Sequence, residues 1–261
     1  GYTRKAMKIR VLGCDGGRAK DYKNTSLMFN DTVLIDAGTV LSEITVEEAI
    51  NITDIFFTHT HLDHILELPF MLDVTFGQRK TPLRLHGLKE SLDPLMEHMF
   101  NDKIWPNFAE LPTAEDGQFT LHEIKPDEVY EAQGLKFTPF AVNHTVPCVG
   151  YKVESGGSAL VFSGDTGPVD SVWDVANAAD NLKALIVDLS FPTEEQHIAD
   201  VSGHMTANDV QAQLEKLRKD CDVYTFHHKV GLSPKLKEQA KHLTHMNKPV
   251  QHLRDVEILE I

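Results

Sequence analysis

Cysteine is scarce in this chain. Cys14, Cys148 and Cys221 are the three in 261 residues. They are odd in number, far apart and without a CxxC pair, so no disulfide framework is expected and a reducing cytoplasm is the expected home. Long apolar runs are absent too: none reaches the ~18 residues that a membrane span needs, so no membrane partner is expected. The opening GYTRKAMKIR has no apolar stretch of the kind that exports a protein. Residues 1–6 read as an added or extended leader, with Met7 the natural start. Positive charge is short as well, 25 basic residues against 39 acidic, a formal net charge of −14. Such a surface repels polyphosphates, which disfavours nucleic acid as a partner.

Hydrophobic residues make up 41%, enough for a sizeable core. No repeat, low-complexity segment or domain-separating linker is visible, so a single domain over residues 1–261 is expected. Residues 7–14 read as a strand ending in a Gly-rich turn. Residues 26–29 and 33–35 flank Asn30-Asp31, a hairpin signal. Thr45 with Glu48 three residues on marks a helix start over residues 45–50. Residues 52–58 form a β-rich run. Helices are predicted over 64–76 and 89–100, the first interrupted or started near Pro69. Strands follow at 135–142, 150–153, 159–163, 184–189 and 223–226. Thr206 caps a helix with Asp209 at its third position and Val210, Leu214 and Leu217 on one face. Ser233-Pro234 starts another helix, with Ser233 as the cap.

Polar residues that favour metals sit repeatedly just past strand ends, where α/β proteins build sites. The densest stretch is THTHLDHI, residues 58–65. His59 and His61 can face one ion from an extended turn. Asp63 and His64 follow on the next bend and can face a second. Imidazole and carboxylate suit zinc, and manganese or iron(II) accept the same donors. Four side chains cannot complete two metal shells. The missing ligands are expected from His144 in VNHTVP, Asp165 in FSGDTG, and His227 or His228 in TFHHK. An aspartate such as Asp165 can bridge two cations, and water held between two metals ionises near neutral pH. His86, His98, His122, His197, His242, His245 and His252 lack such a setting and read as structural or surface residues.

HTHLDH resembles the HxHxDH motif of the metallo-β-lactamase fold superfamily. The later His144, the GDT aspartate Asp165 and the terminal-strand His227 continue that resemblance in order. It implies a four-layered αβ/βα sandwich of α/β class, with two divalent metal ions at the upper edge of two sheets. ALIVDLSFPTEEQHIADVSGHMT, NDKIWPNF and HLDHI are similar to class II cyclic nucleotide phosphodiesterases. GHMTA and VNHTVPCVGYKVE also resemble ribonuclease Z, which trims tRNA precursors. Both resemblances imply phosphodiester hydrolysis, with His204 donating a proton to the leaving alkoxide and Asp188 orienting it. Asp63 is implied to bind one metal or to steer the attacking water. Lys229, in the H-x-K ending, is implied to contact phosphate.

Two features choose between substrates. The basic, Gly-rich arm of ribonuclease Z lies between the lone His and the GDT aspartate. Here twenty residues separate His144 from Asp165, and Lys152 is their only basic one. A small phosphodiester such as cyclic AMP is therefore expected, with a tRNA 3′-end endonuclease as the alternative. Trp105 and Phe108 are candidates either for stacking a base or for helix-end core, and the resemblance puts Asn24, Thr25 and Ser26 near the site, to contact phosphate or to brace the turn. A thioester or lactone hydrolase would use the same metals without His204. Enzymes of the families it resembles often form dimers, so a homodimer is expected. One departure stands out: the phosphodiesterase signature has a glycine soon after HLDH, and this chain has Glu67.

Overall fold

A computed structural model describes residues 6–261. The expected leader over residues 1–6 therefore falls, but for Ala6, outside the described residues. Two seven-stranded sheets form the framework. The first runs, in spatial order, Ile258–Glu260, Lys8–Gly13, Ser26–Phe29, Val33–Ile35, Asp54–Phe56, Leu83–Gly87 and Phe119–Glu123. The second runs Gln251–His252, Asp222–Phe226, Leu182–Asp188, Ser158–Phe162, Val149–Ser155, Leu135–Ala141 and Tyr130–Ala132. In each sheet the strands from the middle to one edge are parallel, beginning at Val33–Ile35 in the first and at Ser158–Phe162 in the second.

Period-two alternation places one apolar face of each sheet against the other. Ile9, Phe29 and Phe56 of the first sheet meet Phe137, Tyr151, Phe162 and Phe226 of the second in one buried cluster. Phe56 stacks on Phe137 at 4.1 Å between centroids, which ties the two sheets together. Each fully buried aromatic contributes on the order of 2–3 kcal/mol. Two further cores lie on the outer faces. One packs Leu34, Ile55 and Leu85 against Ala49, Leu68 and Met71. The other packs Val161, Leu185 and Val187 against Val172, Val210 and Leu214. Helix, sheet, sheet, helix is the four-layered αβ/βα sandwich expected.

Local signals explain many of the elements. Thr45 caps Val46–Ile50 in a reciprocal capping box with Glu48, and Thr206 caps Ala207–Leu214 in the same way with Asp209. Other expectations need correction in their bounds. The helix predicted over 64–76 is interrupted near Pro69 as expected, but begins two residues earlier, as Leu62–Ile65 and Leu68–Val74. That predicted over 89–100 is Lys89–Pro94 followed by a wider π-type turn over Leu95–Met99, because Pro94 cannot donate an N–H to the preceding turn. Ser233 is the first helical residue of Ser233–Ala240, with Leu232 in the cap position. Among the described residues, no helix is long and apolar enough to cross a membrane. All three cysteines are free and buried.

Candidate metal centre

The carboxyl ends of the parallel strands in both sheets point to one edge of the sandwich. The turns that follow them carry the polar residues. After Asp54–Phe56 the chain extends through Thr58 to His61, and His61 takes the cap position of Leu62–Ile65 without a capping hydrogen bond. Its ring is thereby free for another partner. His59 and His64 are fully buried, and Asp63 remains partly open.

Donor atoms converge in two groups. In the first, His59 Nε2 lies 3.1 Å from His61 Nδ1, and His144 Nε2 lies 3.3 Å from the same atom. In the second, His227 Nε2 lies 3.2 Å from Asp63 Oδ2, and His64 Nε2 lies 3.4 Å from it. Asp165 Oδ2 joins them, 3.0 Å from His64 Nε2, 3.3 Å from His227 Nε2 and 3.5 Å from His59 Nε2. Seven side chains predicted from the sequence thus meet in one place, with Asp165 between the two groups. His228 does not join them. Its ring stacks on His252 at 3.7 Å and bonds Thr225. His227 sits at φ 71°, in the left-handed region, which turns its ring inward.

The donors fit metal ions on three grounds. Neighbouring ligands on a tetrahedral zinc stand about 3.3 Å apart, given bonds of about 2.0–2.1 Å, and the observed spacings cluster there. Asp165 Oδ1 is buried with no hydrogen-bond partner, an expensive condition unless a cation meets it. Burial alone would discharge the His64 ring, yet Asp165, Asp63 and Asp36 outweigh it and hold its pKa well above the usual value. So many buried carboxylates around one imidazole demand positive charge. Burial, reinforced by the charge on His64, pushes His59 the other way, which keeps its nitrogen unprotonated for a ligand role.

Sequence reasoning missed Asp36 and Thr58. Asp36 follows the wholly buried strand Val33–Ile35 and is itself fully buried. Its carboxylate accepts from Thr58 N (2.8 Å), Thr58 Oγ1 (2.7 Å) and His64 Nδ1 (2.6 Å). Thr58 Oγ1 has one proton and gives it to Asp36, so it must accept from His59 Nδ1, 2.9 Å away. With a cation in place of the second His64 proton, both imidazoles carry Nδ1–H and present Nε2 inward. His144 does the same by donating Nδ1–H to Gly203 O at 2.9 Å. Such outer partners fix the tautomer and raise ligand basicity. The available signal was positional: LIDAG puts an acid directly after an apolar strand, as FSGDTG does.

His204 stands beside both groups, its ring 5.0 Å from that of His144 and 4.7 Å from that of His227. Its Nδ1 donates to Asp188 Oδ2 at 2.7 Å. Burial opposes a charged His204, but the Asp188 charge and hydrogen bond outweigh it and raise the pKa. Asp188 is fully buried. Lys229 lies 5.9 Å from the centre of the Phe191 ring, next along the chain from His227-His228. The aromatic candidates sit elsewhere. Phe108 is buried in the outer core against Phe76, and Trp105 packs half-buried against Phe70. Neither ring is brought among the donor groups. Ser26 braces the turn through Asp36 O at 2.8 Å. Thr25 is buried, and Asn24 packs its backbone on Gly13 and its Cβ on Gly38.

Glu67 has a local task. Its carboxylate accepts from Val40 N and from Leu41 N (3.0 Å) and lies 3.7 Å from Arg18 Nη2. The tight backbone approach that a glycine allows is made nearby by Gly38, where a Cβ would fall 2.1 Å from Asp63 O.

Comparison with known proteins bears on the family and the fold. Residues 31–228 match the family model described as β-lactamase superfamily domain. Ribonuclease Z of Methanosarcina acetivorans is 25% identical, over 79% of this chain and 82% of that protein. The 3′,5′-cyclic-nucleotide phosphodiesterase 1 of Saccharomyces cerevisiae is 34% identical over 101 residues, 36% of this chain and 26% of that protein. The crystal structure of unliganded yeast PDE1 superposes with a TM-score of 0.76 at 18% identity, covering 90% of this chain and 93% of that one. The metallo-β-lactamase fold protein YhfI of Bacillus subtilis gives a TM-score of 0.78 at 19% identity, covering 97% and 99%.

Proposed function

The chain belongs to the β-lactamase superfamily domain family, as a metal-dependent hydrolase of the metallo-β-lactamase fold, and from that premise we propose that it hydrolyses a small phosphodiester. A 3′,5′-cyclic nucleotide such as cyclic AMP is the proposed substrate, and zinc the proposed metal. The observation that carries this reading is the buried Asp188–His204 pair within reach of both donor groups. A thioester, which expels a thiolate, has less need of a proton donor there, whereas an alkoxide leaving from phosphorus does.

His59, His61 and His144 would hold one ion, Asp63, His64 and His227 the other, with Asp165 shared. Bound there, the ions supply Lewis-acid charge for the phosphoryl oxygens and lower the pKa of water. The chain's own residues do the rest. Asp188 takes His204 Nδ1–H and thereby turns Nε2 toward the cleft. Nε2 holds the proton that the leaving oxygen takes. Asp63, whose side chain is partly open, faces incoming water. Lys229 offers its ammonium to a non-bridging phosphate oxygen.

The test is hydrolysis of 3′,5′-cyclic AMP by the zinc-loaded protein, followed by chromatography, with His204→Ala beside it. Turnover to 5′-AMP or 3′-AMP, lost in the variant, supports the reading. No turnover with two ions bound rejects cyclic AMP. A second reading, tRNA 3′-end cleavage, is favoured by the similarity to ribonuclease Z along most of the chain. A precursor tRNA assayed in parallel decides between them.

A further inference from the structure

Ser190 is fully buried two residues beyond the Leu182–Asp188 strand end and has no place in the scheme above. Its hydroxyl stands between two groups that do. Ser190 Oγ is 2.8 Å from Asp188 Oδ1 and 2.9 Å from His227 Nδ1. A serine hydroxyl has one proton. The carboxylate can only accept, so that proton goes to Asp188. The bond to His227 then runs the other way, with Nδ1–H donating to Ser190 Oγ. His227 is thereby fixed with Nε2 bare, and Nε2 is the atom 3.2 Å from Asp63 Oδ2.

We propose that Ser190 is a positioning residue of the metal centre, through which the one Asp188 carboxylate orients both the proton donor His204 and the ligand His227. Oδ2 serves His204 and Oδ1 serves Ser190. The arrangement repeats in the second sheet what Asp36, Thr58, His64 and His59 do in the first: a buried carboxylate holds one histidine directly and another through a hydroxyl. Its consequence is a coupling. Loss of the Ser190 hydroxyl releases His227 to turn or to change tautomer, and it also strips Asp188 Oδ1 of its shortest bond. The remaining one there is Met205 N at 3.4 Å. His227 needs this tether because its backbone is in the left-handed region, where a non-glycine residue persists only when its surroundings hold it.

The inference rests on the two-metal reading, and the experiment separates the two. Zinc content and stepwise affinity are measured by chelator competition for the natural chain, Ser190→Ala, Ser190→Thr and Ser163→Ala. Ser163 is the matched control: equally buried, it accepts from the backbone N–H of Asp188 at 3.1 Å and touches no imidazole. In the zinc-loaded protein, the ¹⁵N-attached imidazole proton of His227 is followed by NMR. The expected result is that Ser190→Ala weakens the second zinc by 10- to 100-fold and exposes the His227 Nδ1–H to fast exchange. The first zinc is retained, and Ser190→Thr restores both readouts. Equal zinc affinity and an unchanged Nδ1–H signal in Ser190→Ala would overturn the inference while leaving the two-metal centre standing. So would an equal loss in Ser163→Ala, which marks a general packing defect. A natural chain that takes up fewer than two zinc ions would overturn both.

Discussion

His204→Ala is expected to lower kcat by roughly 10²–10⁴, the usual share of a positioned proton donor, with little change in zinc content, since the seven other donors supply both ions and His204 is engaged by Asp188. Steady-state kinetics beside elemental analysis checks it. Asp36→Asn is expected to do the opposite, weakening zinc at both positions. An amide has one acceptor oxygen for the three donors that Asp36 now satisfies, and its NH₂ would face one of them. At this scale the sequence carried most of the centre. HTHLDH is recognisable because its types are costly to place together without a ligand; His144 and Asp165 follow because that cluster needs partners, and His204 follows only from the family resemblance. The choice between His227 and His228 was not legible, because it turns on one backbone angle. Asp36 was missed because its work is done by contacts with residues 22 and 28 positions away. Trp105 and Phe108 look alike as surface aromatics in a string of letters, and only packing against Phe70 and Phe76 shows their surroundings.

Turns that place the ligands should be the least tolerant of added bulk. Gly203 has φ 70°, and a Cβ there would fall 2.8 Å from His144 Nδ1. Gly203→Ala is expected to displace His144 and weaken zinc binding more than it lowers thermal stability, a contrast that calorimetry and chelator competition measure together. Thr206→Ala should behave in reverse. It removes the cap of Ala207–Leu214, costing about 1 kcal/mol, and leaves the ions in place; urea denaturation reads that loss. Capping boxes at Thr45 and Thr206 were legible because both partners lie within four residues. The strand Leu83–Gly87 was not. Its inward positions are Arg84 and His86, which the alternation rule marks as solvent-facing. Both are instead paired to buried Asp54, at 2.7 Å each, so polar residues occupy inward positions of a strand at the expense of its pattern.

Taken whole, the molecule should lose stability in mild acid. Burial holds the His252 imidazole down at about 4, and stacking on buried His228 leaves no room for added charge. An unfolded histidine takes a proton near 6.5. Between those values the unfolded chain binds more protons, so stability is full above about 6.5 and falls as pH drops toward 4, by on the order of 3 kcal/mol at most. Urea titrations at pH 7 and pH 5 test this, and His252→Phe, which keeps a stacking ring, should flatten the slope. The layered architecture was legible through the resemblance that HTHLDH carries; the order of apolar strands and helices shows by itself only two strand-rich parts with helices. The two sheets' mutual packing, through Phe56 on Phe137, depends on which of many apolar residues meet, and spacing along the chain does not encode that.

Asp63 and His227 face one another although 164 residues of chain separate them. During synthesis at about 5–20 residues per second, the first of the pair leaves the ribosome roughly ten to thirty seconds before the second. At the start of that interval the nascent chain holds three imidazoles and a carboxylate, and His144 and Asp165 join them before His227 is made, so six of the seven donors precede the strand end that completes the site.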